Sequence, residues 1–177
     1  MANLFTYQVI KDTTEHAVIK LTGLFSGTDG QESNTARVQA NSLYGALDSR
    51  KTRPLSDPSH VGELPYYGLA INRLWYDCPA GNGNIELYWT ADTSKTIFHL
   101  NGNSEYDACG NWITIPNNTV GTANANGNIG ITTRGMTAND SYTLILEVRK
   151  DNAHYQRGQF NEPAAFNYPP YDLTPAN

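Results

Sequence analysis

The sequence predicts an all-β protein: an antiparallel, jelly-roll-like β-sandwich with one short helix and an extended C-terminal arm. Of its 177 residues, 19 are Asn, 18 are Thr and 15 are Gly, whereas only 16% are charged. Thr favours strands, and Asn and Gly supply the positive-φ turns that separate them. Short segments of alternating character divided by such turns recur along the chain, which is typical of a sandwich or barrel.

The first strands form a predicted hairpin. Residues 5–10 and 17–22 are rich in strand-forming side chains and flank a polar turn. In the second segment Ala17, Ile19 and Leu21 face one way and alternate with more polar neighbours, which indicates a strand with one buried face.

The alternation resumes further along the chain. In 84–90 and 142–149 every second residue is apolar, which places Trp89 in the core. The predicted strands after the opening hairpin are 69–76, 84–90, 96–100, 112–115, 129–133 and 142–149.

A different period appears between residues 34 and 47. Apolar residues recur there at steps of three and four, as on one face of an amphipathic helix, and Ser33 or Asn34 could cap it. We therefore predict a helix of about three turns near 34–47. The following segment, 50–65, contains prolines and charged residues and is predicted to be a loop.

The sequence divides into a β domain, residues 1–151, and an arm, residues 152–177. Four prolines forbid a helix in the arm and exclude it from a central sheet position. Its aromatic rings are unusual for a disordered tail and indicate a surface that receives them. That surface is either a partner or the arm's own domain. The predicted partner-binding residues are Tyr155, Phe160, Phe166, Tyr168 and Tyr171.

Charge and hydropathy argue against several kinds of partner. The net charge is −5 and there is no basic stripe, so nucleic-acid binding is not predicted. No apolar run approaches the roughly 20 residues that span a bilayer, and we predict no membrane partner. The first residues lack the features of a secretory signal, so we expect synthesis in a cytoplasm.

We predict no catalytic, cofactor-binding or metal-binding residues. The four histidines have no metal-ligand spacing, and no nucleophile or nucleotide-binding motif occurs. Cys78 and Cys109 are interpreted as reduced thiols, with a disulfide as the alternative. Trp75, Trp89 and Trp112 raise the question of carbohydrate stacking, although a buried Trp is more usual in a sandwich.

Several phrases of the sequence resemble the small virion structural proteins of marine tailed bacteriophages. The phrases are residues 11–16, 20–23, 31–36, 71–77 and 155–161. The resemblance implies a particle component present in many copies, with no catalytic residues to transfer. We expect a capsid decoration or cement protein in the virion that binds between subunits. Its expected partners are other virion proteins, the major capsid protein first, and further copies of itself. The alternatives are a neck, collar or tail structural protein, or a carbohydrate-binding module for host adhesion.

Overall fold

The computed structural model describes residues 3–27, 31–79, 83–108 and 114–156. Within these residues the chain forms two antiparallel sheets and a single 3-10 turn, Ala40–Ser42. The strands are β1 (Leu4–Asp12), β2 (His16–Leu24), β3 (Thr35–Val38), β4 (Leu69–Asp77), β5 (Asn84–Trp89), β6 (Lys95–Leu100), β7 (Asn103–Asp107), β8 (Ile115–Pro116), β9 (Ile129–Arg134) and β10 (Ser141–Lys150).

The strand order is that of a jelly roll. The large sheet runs β1-β2-β10-β4-β7, with β8 also on β4, and the small sheet runs β3-β9-β5-β6. Strands pair as nested couples: β2 with β10, β3 with β9, β4 with β7, and β5 with β6. Successive couples alternate between the sheets, as when one long hairpin is rolled up. The predicted jelly-roll-like sandwich is therefore confirmed.

The opening hairpin and most later strands lie where the sequence predicts them. β1 and β2 pair antiparallel, and Ala17, Ile19 and Leu21 are buried on one face of β2. β10 is central to the large sheet and buries every second side chain. Trp89 is only 1% exposed, which confirms its place in the core between the sheets.

The helix predicted near 34–47 is wrong. Thr35–Val38 pairs with β9, and only Ala40–Ser42 makes a short 3-10 turn. The amide of Asn34, which has a φ of +50°, donates to the hydroxyl of Thr132 at 3.1 Å. The segment contains Thr, Val, Asn and Ser, which are poor helix formers, so hydrogen bonding to β9 outweighs an apolar pattern at helical spacing.

Two strands differ from the prediction. β7 (Asn103–Asp107) was not predicted, since no strand was expected between 96–100 and 112–115. Gly102, with a φ of +72°, makes a turn after β6, and the chain then enters β7 in the opposite sheet. The predicted strand 112–115 lies partly outside the described residues, and of its two described residues only Ile115 belongs to the short β8.

The domain continues past the predicted boundary at residue 151. Tyr155 forms an isolated β-bridge with Ala46. On either side of this bridge the Leu47 amide donates to the His154 carbonyl at 2.9 Å, and the Gln156 amide donates to the Gly45 carbonyl at 2.8 Å. The first five residues assigned to the arm therefore belong to the domain, which extends at least to Gln156.

Candidate assembly surface

The free edge of the large sheet carries the clearest apolar surface. β1 pairs with β2 on one side, and none of the described strands pairs with its other side. We call the exposed apolar side chains of this hairpin the β1 strip: Leu4, Tyr7, Val9, Ile10 and Leu24. An open edge strand with apolar side chains is a template for association with another chain, and soluble proteins normally protect such edges.

The register explains why Tyr7 and Val9 of the strip are exposed. Phe5, Tyr7 and Val9 lie opposite Gly23, Leu21 and Ile19, so they share the face of the sheet that packs on the core. The small sheet ends at β3 and covers this face incompletely, which leaves Tyr7 43% and Val9 40% exposed.

Two further details complete the strip. The guanidinium of Arg37 covers Phe5, with its carbon 4.5 Å from the ring centroid. A bulge between Val9 and Lys11 removes Ile10 from the register, and Ile10 is 53% exposed. Tyr7 and Val9 are therefore exposed because the cover provided by the small sheet and Arg37 ends before them, whereas Leu4 and Leu24, which lie opposite each other, are exposed on the outer face of the sheet.

A groove of about 440 Å³ adjoins the last residue of β1. Its apolar wall consists of Leu43, Tyr44, Ala46 and Leu55. The Tyr44 amide donates to the Asp12 Oδ2 atom at 2.8 Å, which joins this wall to the end of β1.

Tyr7 connects the strip with this groove. The side chain of Ser42, a lining residue of the groove, lies near enough to Tyr7 to lower its pKa. Burial raises the pKa of Tyr7, Asp12 raises it further, and Ser42 opposes both. Tyr7 is thus the residue of the strip that lies beside the groove.

Lys150 links the end of β1 to the wall of the groove through buried hydrogen bonds. Its side chain is fully buried, and its ammonium donates to the Asp12 carboxylate, to the Thr13 carbonyl at 2.6 Å and to the Tyr44 carbonyl at 2.8 Å. The ammonium also lies 5.2 Å from the ring centroid of Tyr155. Burial lowers the pKa of Lys150, and Asp12 acts in the opposite direction. One lysine thus joins the end of β1, the wall of the groove and the start of the arm.

Tyr155 packs into its own domain. It is 1% exposed, its hydroxyl donates to the Ala40 carbonyl at 2.7 Å, and its ring centroid is 5.8 Å from that of Tyr67. Burial raises the pKa of Tyr155 well above the ordinary value for tyrosine. We therefore revise its assignment from a partner contact to a core residue. The other predicted partner contacts lie outside the described residues: Phe160, Phe166, Tyr168 and Tyr171.

A second cleft, of about 740 Å³, lies at the end of the large sheet where β2 begins. His154 Nδ1 is 2.7 Å from both carboxylate oxygens of Asp151, a pair that the sequence analysis did not single out. Asp151 also accepts hydrogen bonds from the amides of Ala153 and His154, so it caps the turn that contains the histidine.

None of the described residues that line the cleft is a Ser, Thr or Cys. Tyr66, which packs against His154, has its pKa raised to about 12 by burial and, secondarily, by Asp151. Asp151 and His154 thus have the arrangement of a capped turn.

Other candidate chemistry is equally sparse in the part of the chain that the structure describes. Three or more His, Cys, Asp or Glu side chains nowhere converge there as a possible metal site. None of its helical segments has the length and apolar character needed to cross a membrane.

Cys78 is buried, its thiol donates to the Gly102 carbonyl at 3.1 Å, and burial raises its pKa to about 11. Cys109 lies outside the described residues.

The tryptophans differ in their surroundings. Trp75 is 44% exposed on the outer face of the large sheet, where it lies opposite Ile145 on one side and Glu105 on the other. Trp112 lies outside the described residues.

The comparisons with known proteins give no family for this chain. No protein-family model, curated protein or solved structure matches it.

The β1 strip was missed by the sequence analysis, although the sequence contains a signal for it. Residues 4–10 carry apolar side chains on both faces of the strand, whereas in 17–22 most apolar side chains lie on one face.

Proposed function

We propose that this chain is a non-enzymatic structural component of a tailed-phage virion, a capsid decoration or cement protein that binds between subunits. The observation that carries the proposal is the β1 strip, an open and apolar sheet edge. A protein made to assemble needs such an edge, whereas one that stays monomeric normally protects it. The jelly roll agrees with this role, because viral capsid proteins are among the proteins that use it.

The strip is large enough to contribute binding free energy. Fully burying a Val, Leu or Ile side chain is worth about 1.5–3 kcal/mol. The five residues of the strip are each 40–60% exposed, so covering each of them contributes roughly 1 kcal/mol. Part of this gain is offset by the entropy lost on association. A modest affinity per copy, repeated over many copies, suits a protein that reinforces a shell.

The arm supplies a second set of contacts. Phe160, Phe166, Tyr168 and Tyr171 are the proposed anchors, and the prolines between them limit the entropy lost when the arm is ordered. The proposed partners are the major capsid protein and further copies of this chain. A neck, collar or tail protein would use the same strip and the same arm.

One observation favours a carbohydrate-binding module as a second candidate. The exposed ring of Trp75 lies on a sheet face between Ile145 and Glu105, and sugar rings stack on exposed aromatic rings of this kind. This candidate predicts retention on a glycan array that is lost in Trp75→Ala.

Co-sedimentation with capsid shells tests the first proposal. We expect the chain to pellet with shells of the major capsid protein of its own particle, in fixed stoichiometry. Val9→Lys places a charge in the strip and should weaken binding at least about tenfold, a loss of about 1.4 kcal/mol or more. Val61→Lys is the matched control, because Val61 is 45% exposed and lies outside the strip. Equal binding by the two variants would refute the role of the strip.

A further inference from the structure

β1 is an edge strand with large exposed side chains. It pairs with β2 on one side, and none of the described strands pairs with its other side. Leu4, Tyr7, Val9 and Ile10 are each at least 40% exposed. A partner strand at this edge would extend the large sheet and cover these side chains by cross-strand contacts.

The sequence of β1 is complementary to itself in one antiparallel register. Two copies of one edge strand pair antiparallel about a two-fold axis perpendicular to the sheet, which places one residue opposite the same residue of the second copy. When this residue is Tyr7, every residue from 4 to 10 lies opposite a residue of the same character, apolar or polar. The other pairs are Leu4 with Ile10, Phe5 with Val9, and Thr6 with Gln8.

Adjacent registers lose this match. When Gln8 lies opposite its counterpart, Thr6 lies opposite Ile10. When Thr6 lies opposite its counterpart, Leu4 lies opposite Gln8. Opposed side chains contact each other on the same face of an antiparallel sheet, so either register sets an apolar side chain against a polar one. The register centred on Tyr7 is therefore favoured.

The strand itself sets the end of the paired segment. A bulge interrupts β1 between Val9 and Lys11, and a bulge disrupts the ladder and bends the strand that carries it. Lys11 and Asp12 are the only charged residues of β1, and both follow Ile10. The residues that pair in this register are therefore uncharged, so no like charges lie opposite each other to destabilise the sheet.

We propose that β1 pairs antiparallel with β1 of a second copy, with Tyr7 opposite Tyr7, so that two large sheets form one continuous sheet. Tyr7 and Val9 lie on the face that packs on the core, at the place where the small sheet ends. In the dimer Tyr7 is covered by Tyr7 of the second copy, and Val9 is covered by Phe5. Leu4 and Ile10 cover each other at the two ends of the pair.

This assignment deepens the proposed function, because it names a second copy as the partner of the β1 edge. It rests on that proposal only in treating the β1 strip as an assembly surface. A dimer presents two copies of every contact with the shell, and two linked contacts bind more tightly than one. We therefore expect the dimer to be the unit that binds to the particle.

Sedimentation equilibrium of the full chain tests the dimer. The wild type should show a concentration-dependent equilibrium between monomer and dimer. Tyr7→Lys places two ammonium groups opposite each other at the axis and should raise the dissociation constant at least about tenfold. Val61→Lys is the matched control and should dimerise as the wild type does, because Val61 is similarly exposed and lies outside the strip. Melting curves followed by circular dichroism establish that both variants are folded.

Disulfide trapping tests the register. Opposed residues of an antiparallel pair have Cα atoms about 4.5–5.5 Å apart, which is within the range that a disulfide bridges. Under mild oxidation Tyr7→Cys should therefore form a covalent dimer. Gln8→Cys is the matched control, because position 8 lies opposite position 6 of the second copy and its two thiols are too far apart to bridge. The wild type, which shares Cys78 and Cys109 with both variants, gives the background.

Three results would overturn the proposal. A wild-type chain that stays monomeric at every concentration assigns the edge to another occupant, such as the capsid protein or the chain's own residues. Equal dissociation constants for Tyr7→Lys and the wild type exclude β1 as the dimer interface. A covalent dimer of Gln8→Cys in place of one of Tyr7→Cys excludes the register.

Binding to capsid shells is measured separately with the same variants. A dimer that does not pellet with shells refutes the proposed function and leaves this inference intact. A chain that pellets with shells but stays monomeric in solution refutes only this inference.

Discussion

Shortening the chain from residue 156 to residue 151 should remove a large part of the domain's stability. The cut deletes Tyr155, a fully buried ring. Truncation of a buried aromatic residue costs about 3–5 kcal/mol. The cut also removes the hydrogen bonds from Leu47 to His154, from Gln156 to Gly45 and from Tyr155 to Ala40, each worth about 1 kcal/mol.

The expected loss is thus about 5 kcal/mol or more, against about 5–15 kcal/mol for a whole domain. For a domain of this size that corresponds to a fall of roughly 10–20 °C in the melting temperature. Urea unfolding followed by circular dichroism should show a much lower midpoint for residues 1–151 than for residues 1–156.

Tyr155→Phe calibrates this loss, because it deletes only the hydroxyl. The Ala40 carbonyl still accepts a bond from the Leu43 amide at 3.3 Å, so the variant should lose only about 0.5–1.5 kcal/mol. Coincident unfolding curves for the 1–151 and 1–156 chains would refute the conclusion that residues 152–156 belong to the domain.

Other regions of the structure give further predictions. Gly130→Ala should destabilise the domain by about 1–3 kcal/mol in urea unfolding, because the new Cβ would lie 2.4 Å from the ring of Tyr88. Amide hydrogen bonds, first that of Thr52, hold the pKa of buried Asp48 below its ordinary 3.8. Its contribution to stability is therefore present above pH 3.8 and is lost as the pH falls through the lower folded-state pKa. Asp48→Asn should flatten that part of the stability profile measured between pH 2 and 6, and an unchanged profile would contradict this assignment. Cys78 should resist iodoacetamide at pH 8 until urea unfolds the domain, as judged by mass spectrometry of its peptide, because burial keeps its thiol protonated.

Much of the sandwich could be predicted from the sequence, because its strands have one buried face. Alternation in 84–90 and 142–149 reports such burial directly. Prediction from such patterns fails where contacts with residues distant in the sequence determine the secondary structure. The strand Thr35–Val38 forms because β9 offers hydrogen bonds, a contact that lies more than ninety residues away along the chain.

The candidate surface is predictable only in part. The apolar residues of β1 are visible in the sequence, but the exposure of Tyr7 and Val9 follows from the point at which the small sheet ends. The groove combines Asp12 with residues 41–46 and Leu55, which no local pattern connects. Tyr155 was grouped with the arm by composition. Its burial depends on contacts with Ala40, Tyr67 and Lys150, and these contacts come from parts of the chain that are far apart in the sequence.

Photo-cross-linking in assembled particles tests the central claim, that the β1 strip is an assembly surface. A photoreactive side chain in place of Leu4, which is 60% exposed, should cross-link to another virion protein. The same group in place of Val120, which is 65% exposed and lies outside the strip, should not. If the protein is present in the particle at full occupancy and the probe at position 4 gives no intermolecular product, or no more than the probe at position 120, the claim is wrong.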